Sequence, residues 1–133
     1  MNAVDKLLKM DAGKLKTPMK DITIKLAKLD NEEFVFPCKA IDPELIAEMQ
    51  EDALEIVDGE LDKIKMYNQK VFTVIEGCPD VFKNKDVMKH FGVPTPKELV
   101  SKIMLSGEID ELYGEINKLN GYNRKKQKDE VKN

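Results

Sequence analysis

The hydrophobic period of this chain changes once, and that change constrains the fold more than any other feature. From Ile22 to Ala40 the apolar side chains fall at every second position: Ile22, Ile24 and Leu26, then Phe34, Phe36, Cys38 and Ala40. From Asp42 onward they recur at spacings of three and four. Period two lines one face of a strand, and a period near 3.6 lines one face of a helix. The two alternating runs flank Asp30-Asn31, so they predict a β-hairpin over 21–41 with one buried face. Pro37 cannot donate to a ladder and belongs at an outward-facing edge position of the second strand. A lone hairpin is marginal in water, so this one must lie on the helices that follow. The expected class is α+β, predominantly helical: an N-terminal β-hairpin packed on a small bundle of about four to five helices.

Punctuation residues divide the helical part. Asp42 suits an N-cap and Pro43 the first helical position, opening a helix that carries Leu45, Ile46, Met49, Ala53 and Leu54. Gly59 interrupts the pattern. A second helix is predicted from Leu61 to Ile75, burying Leu61, Ile64, Val71, Val74 and Ile75, with Gly77 and Pro79 as its stop. A short helix over 85–91 follows, capped by Asn84 and ended by Gly92. Thr95-Pro96-Lys97-Glu98 is a capping box with proline at the first helical position, ahead of Leu99, Val100, Ile103 and Met104. Ser106-Gly107 is expected to end that helix. Glu108 then starts another, with Ile109, Leu112, Tyr113, Ile116 and Leu119 inward and Asn120-Gly121 as its stop. Upstream of the hairpin, Ala3 to Met10 forms a short helix with Val4, Leu7 and Leu8 on one side, followed by a lysine-rich linker. The predicted organisation is a helix and linker over 1–20, one globular domain over 21–122 and a flexible tail over 123–133, where apolar residues nearly vanish.

The 133 residues suffice for one domain. Without tryptophan, Leu, Ile, Val and Met must fill the core. A net charge of -3 argues against a general nucleic-acid binder, which carries a basic footprint. Charged residues interrupt every apolar stretch, so no membrane span or signal peptide is expected, and the chain reads as cytoplasmic. Cys38 and Cys78 lack CxxC spacing, and a single histidine accompanies them, so two buried free thiols are expected rather than a metal site. His90 fits a helix end. Asp80 fits a turn after Gly77-Cys78-Pro79. A nucleophilic Cys78 would need a base that the sequence does not supply. Glu108, Asp110 and Glu111 occupy the first turn of a helix, where its positive end favours them. No glycine-rich phosphate loop occurs. No enzyme and no cofactor are expected.

Two features leave binding roles open. Met49, Met66, Met88 and Met104 suit either core filling or an adaptable surface, with Met104-Leu105 the pair nearest a helix break. The run from Asp86 to Lys102 can be drawn as a helix-turn-helix, locally basic through Lys83, Lys85, Lys89, Lys97 and Lys102. Against that, Met88 stands where close helix crossing wants a small residue. Pro96, Lys97 and Glu98 are also poor readers of base edges. Nucleic acid is therefore the alternative partner rather than the expected one.

An ordered set of motifs resembles the XkdN-like tail assembly chaperones of phages and phage-like elements. Lys6-Leu7-Leu8-Lys9-Met10-Asp11, Lys14-Leu15 and Pro18 match the opening of that family. Ile24-Lys25-Leu26, Phe34-Val35-Phe36 and Ala40-Ile41-Asp42-Pro43-Glu44 follow. After them come Gly77-Cys78-Pro79-Asp80-Val81-Phe82-Lys83-Asn84, Phe91-Gly92-Val93 and Leu99-Val100-Ser101-Lys102-Ile103-Met104-Leu105. Gly107-Glu108-Ile109 and Ile116-Asn117-Lys118-Leu119-Asn120-Gly121-Tyr122 close the series. Ser106 departs from an expected proline, and Tyr122 from the commoner phenylalanine; the segment from Glu55 to Tyr67 is divergent. The resemblance implies a non-enzymatic protein of the bacterial host cytoplasm that binds phage tail proteins, chiefly the tape measure protein, and keeps them soluble during tail assembly. A helix-in-groove mode would use Leu99, Ile103, Met104, Leu105, Ile109, Leu112 and Tyr113. The strand edge from Phe34 to Ala40 offers a second contact, by strand addition. The sequence is also compatible with a homo-oligomer.

Overall fold

Both alternating runs are strands. β1 (Met19–Leu26) and β2 (Glu32–Lys39) pair antiparallel, with Ile22 opposite Phe36 and Ile24 opposite Phe34. The protein is represented by a computed structural model describing residues 2–122 apart from 54, 55, 58, 59 and 62; over 52–65 it describes backbone alone. The expected tail over 123–133, and the burial expected of Ala53, Leu54, Leu61 and Ile64, therefore lie outside the described residues. Ile22, Ile24, Leu26, Phe36 and Cys38 are buried, whereas Val35 on the opposite face is exposed. The Ala40 N–H donates to the Pro18 carbonyl, which fixes the bonded pairs of the ladder at even-numbered positions. Pro37, opposite Asp21, thus sits at a non-bonded pair with its nitrogen turned to the free edge. The strands are joined by five residues rather than a tight Asp-Asn turn. Residues 27–29 make a 3-10 turn, and Asp30 and Asn31 both take left-handed conformations, φ 59° and 57°.

The remainder is mostly helical. α1 (Ala3–Lys9) precedes the hairpin, and α2 (Pro43–Ala53) follows it, with the Asp42 carboxylate accepting the Glu44 N–H at 2.9 Å as its cap. Two-residue strands β3 (Ile56–Val57) and β4 (Glu60–Leu61) then pair antiparallel. This small hairpin corrects the helix expected to start at Leu61: the apolar spacing carries through Leu61, but Gly59 lies between two segments that pair with each other. α3 (Lys63–Gly77) begins after it. Asp80 stands in α4 (Pro79–Phe82), a single turn opened by proline, rather than in a simple bend. α5 (Lys85–His90) and α6 (Pro96–Ile103) start at the expected caps, Asn84 and Thr95, and Gly92 at φ 69° supplies the left-handed residue after α5.

The final break differs from the expected one. α6 ends at Ile103, Met104 and Leu105 are extended, and α7 (Ser106–Leu119) takes Ser106 and Gly107 into its own first turn. The cause is Glu108, whose Oε1 accepts the Leu105 N–H at 2.8 Å and makes Leu105 the cap. Glycine in a first turn interrupts little.

The core lies between the buried face of the hairpin and α3, α4, α6 and α7. Val71, Val74, Phe82, Leu99, Val100, Leu112 and Ile116 are fully buried. Phe36 of β2 stacks on Phe82 of α4, ring centroids 5.7 Å apart. Where α3 ends against α7 the Ile116 side chain lies on the Gly77 backbone: a Cβ on Gly77 would stand 2.6 Å from the Ile116 Cγ2. Three side chains then tie the hairpin to the C-terminal half. The second oxygen of Glu108 accepts the Ala27 N–H at 3.0 Å. The Lys28 ammonium donates to the carbonyls of Ser101 and Lys102 at 3.0 and 3.3 Å, closing the end of α6 with a favourable charge. Asn120 Oδ1 accepts the Ile41 N–H at 2.8 Å where the chain leaves β2.

Candidate partner-binding surface

The seven residues offered for groove contacts divide by access. Leu99, Ile103, Met104, Ile109 and Leu112 belong to the core cluster, Tyr113 is half-buried against it, and Leu105 is exposed. The extended Met104–Leu105 joint explains the split within that pair, because successive side chains of an extended segment point opposite ways. Of the methionines, Met104 is buried, Met49 and Met88 pack partly against the core, and Met66 is exposed.

Leu105 has apolar company elsewhere on the surface. Met66, Tyr67 and Phe72 of α3 are all more than a third exposed. Met66 and Tyr67, with Lys70, Ser106, Ile109 and Asp110, line a shallow cavity of about 210 Å³ between α3 and the start of α7. Its rim is held by the Lys70–Asp110 ion pair at 2.9 Å, and the Tyr67 hydroxyl meets the Ser101 hydroxyl at 2.9 Å. These polar contacts are exposed and fix geometry more than they stabilise.

A larger cleft of about 830 Å³ opens at the opposite ends of the same elements. The linker residues Lys16 to Pro18, the chain from Lys39 to Pro43, the start of α4 and the end of α7 enclose it. Ile41, Leu45, Pro79 and Leu119 give it apolar lining, and Lys16, Lys39 and Lys83 share it with Asp42 and Glu76, three ammonium groups against two carboxylates. Lys83 pairs with Glu76 at 2.7 Å, leaving Lys16 and Lys39 exposed. No sequence pattern announced this cleft, since its walls come from four separated segments; the lysine-rich linker was its only visible trace.

The N-terminal helix is apolar on a face that no described residue covers. Val4, Leu7 and Leu8 are 63%, 71% and 81% exposed, and α1 buries no residue. Met10 and Leu15 beyond it are exposed as well.

The groups considered for chemistry have ordinary surroundings. His90 ends α5, exposed, with its ring edge-on to Phe91. Cys38 and Cys78 are free thiols buried against each other. Contact with Cys38 and burial push the Cys78 thiol up, so it keeps its proton. The same contact draws Cys38 down, but the Cys38 S–H also donates a hydrogen bond to the Phe36 carbonyl, 3.3 Å from Sγ, which only a thiol can do. Among the described residues no three His, Cys, Asp or Glu side chains converge as metal ligands. The α5–turn–α6 segment packs Leu99, Val100 and Ile103 into the core, and its far end is engaged by Lys28 and Tyr67.

These features define a small, mostly helical α+β protein whose described surface offers a shallow cavity beside exposed Met66 and Tyr67, a larger cleft with exposed Lys16 and Lys39, and an amphipathic N-terminal helix that buries no residue. The chain belongs to the phage XkdN-like tail assembly chaperone family, whose model matches residues 4–132. A similar fold is seen in the crystal structure of the protein YqbN, with a TM-score of 0.53 at 19% sequence identity, covering 84% of this chain and 92% of that one. No curated protein matches the chain in sequence. No described helix is long and apolar enough to cross a membrane.

Proposed function

We propose that this protein is a non-enzymatic chaperone of phage tail assembly that binds the tape measure protein in the host cytoplasm and keeps it soluble until the tail is built. The observation that carries the reading is the family match over residues 4–132. The physical need is plain: a long helical protein with apolar stripes self-associates unless those stripes are covered. Leu105 and the exposed Met66, Tyr67 and Phe72 of α3 have the right character for helix-in-groove contact. Tyr113 of α7 is half-buried and keeps some surface for such contact.

The test is co-expression with a tape measure protein from the same genetic element, followed by size exclusion with light scattering. The expected result is a soluble complex of defined mass. A tape measure protein that precipitates while this protein elutes alone would remove the reading. Within a complex, Leu105→Asp should weaken association while leaving the fold intact, because Leu105 is already exposed. Met104→Asp would instead put a charge into the core and unfold the domain.

A further inference from the structure

The N-terminal helix runs on through the linker into one wall of the cleft, and both expose lysines beside apolar side chains. The segment from Asn2 to Lys20 carries Lys6, Lys9, Lys14, Lys16 and Lys20 against Asp5 and Asp11, within a chain whose net charge is -3. That segment is net basic, whereas the chain as a whole is acidic. The same segment exposes Val4, Leu7, Leu8, Met10 and Leu15, then supplies Lys16 to Pro18 as a wall of the cleft. Lys39 of β2 adds a second exposed ammonium beside Ile41, Leu45 and Leu119; with Lys83 paired to Glu76, Lys16 and Lys39 stand against the single carboxylate of Asp42, and the cleft keeps a net positive charge. Exposing several large aliphatic side chains in a row disfavours the free state, and interspersed lysines keep such a segment soluble until it is covered.

We propose that this arm and cleft are a binding site for an acidic, aliphatic-rich helical segment of a partner protein. Aliphatic side chains of the partner would cover Leu7, Leu8 and the apolar lining of the cleft, while its Glu or Asp side chains meet Lys16 and Lys39. Charge selects this occupant. The arm of a second copy carries lysines of its own and is repelled by a lysine rim, whereas an acidic helix is attracted on approach and held in register. The inference rests on the chaperone reading for the partner's identity as a tail protein. Its chemistry is argued from the cleft alone.

The probe is a synthetic helical peptide with leucine at helical spacing and glutamate at the remaining positions, compared with its lysine-for-glutamate counterpart. Affinity is read by fluorescence anisotropy on the full chain. The glutamate peptide should bind, the lysine peptide should not, and affinity should fall as salt rises. The double variant K16E/K39E should bind it about tenfold more weakly, since reversing two rim charges turns attraction into repulsion. L7S/L8S should weaken binding independently. All four positions are exposed, so the thermal midpoint of each variant should match the parent's. Equal binding of both peptides, absence of binding, or an unchanged K16E/K39E affinity would overturn the proposal. So would a dimer in light scattering that K16E/K39E converts to monomer, which would identify a second copy as the occupant. A chain that binds the glutamate peptide yet leaves the tape measure protein insoluble keeps the cleft and removes the chaperone reading. A chain that holds the tape measure protein equally well as K16E/K39E does the reverse.

Discussion

Gly77 shows how one residue can be fixed by a neighbour distant in sequence. It ends α3 against α7, and any Cβ there meets the fully buried Ile116 side chain. Gly77→Ala should therefore destabilise the fold by about 1–3 kcal/mol, because overpacking outweighs the small helix-propensity gain at a terminal position. A lowered midpoint in chemical denaturation at unchanged slope would check this. Its stop-signal role was legible in the sequence; the close approach was not, since nothing local identifies which helix will lie across it. Phe82 was also visible only as an apolar residue in a turn. Buried and stacked on Phe36, it should cost about 3–5 kcal/mol when changed to alanine, measured the same way. The two thiols make a third case. Buried and protonated, Cys38 and Cys78 should react with an aromatic disulfide reagent only as fast as the protein unfolds, and rapidly in denaturant.

At the scale of elements, the caps carried most of the legible information. Asp42, Asn84 and Thr95 sit at the starts of α2, α5 and α6, each accepting a backbone N–H from the first turn. Such residues announce themselves locally, because a side-chain acceptor is needed wherever helix donors are unpaired. Thr95→Ala should cost about 0.5–2 kcal/mol by the same logic, read as a shift in thermal midpoint. The α6–α7 joint was less legible for a specific reason. Ser106-Gly107 has the composition of a break, but the decision was made by Glu108, which bonds the N–H of Leu105 and shifts the break two residues upstream. That carboxylate also holds Ala27, and this second bond depends on the hairpin's position in space. Glu108→Ala should therefore destabilise more than loss of a solvent-exposed cap, by about 2 kcal/mol, since two backbone donors lose their partner together. Hydrogen exchange should show faster exchange at both Ala27 and Leu105.

Over the whole molecule, the class of fold followed from a single change of hydrophobic period, because burial of one strand face and one helix stripe leaves few arrangements. The cleft and the uncovered arm did not follow. They arise where distant segments meet, and exposed lysines look alike in sequence whether or not they share a wall. The apolar residues of α6 and α7 were legible as inward-facing, yet sequence alone could not separate core from groove; only Leu105 stands clear of the core and Tyr113 partly so. The bonds from Ala27 to Glu108, Lys28 to Ser101 and Ile41 to Asn120 each join residues more than seventy positions apart. This has a consequence for synthesis. At roughly 5–20 residues per second on the ribosome, the hairpin emerges several seconds before the helix that completes its bonding. During that interval the apolar face of Ile22, Ile24 and Phe36 lacks part of its cover, and a chain halted before α7 is without the Leu112 and Ile116 that complete the core. A protein whose proposed task is to cover another's apolar surface thus begins life with its own uncovered, and its last helix must arrive before its first strands can settle.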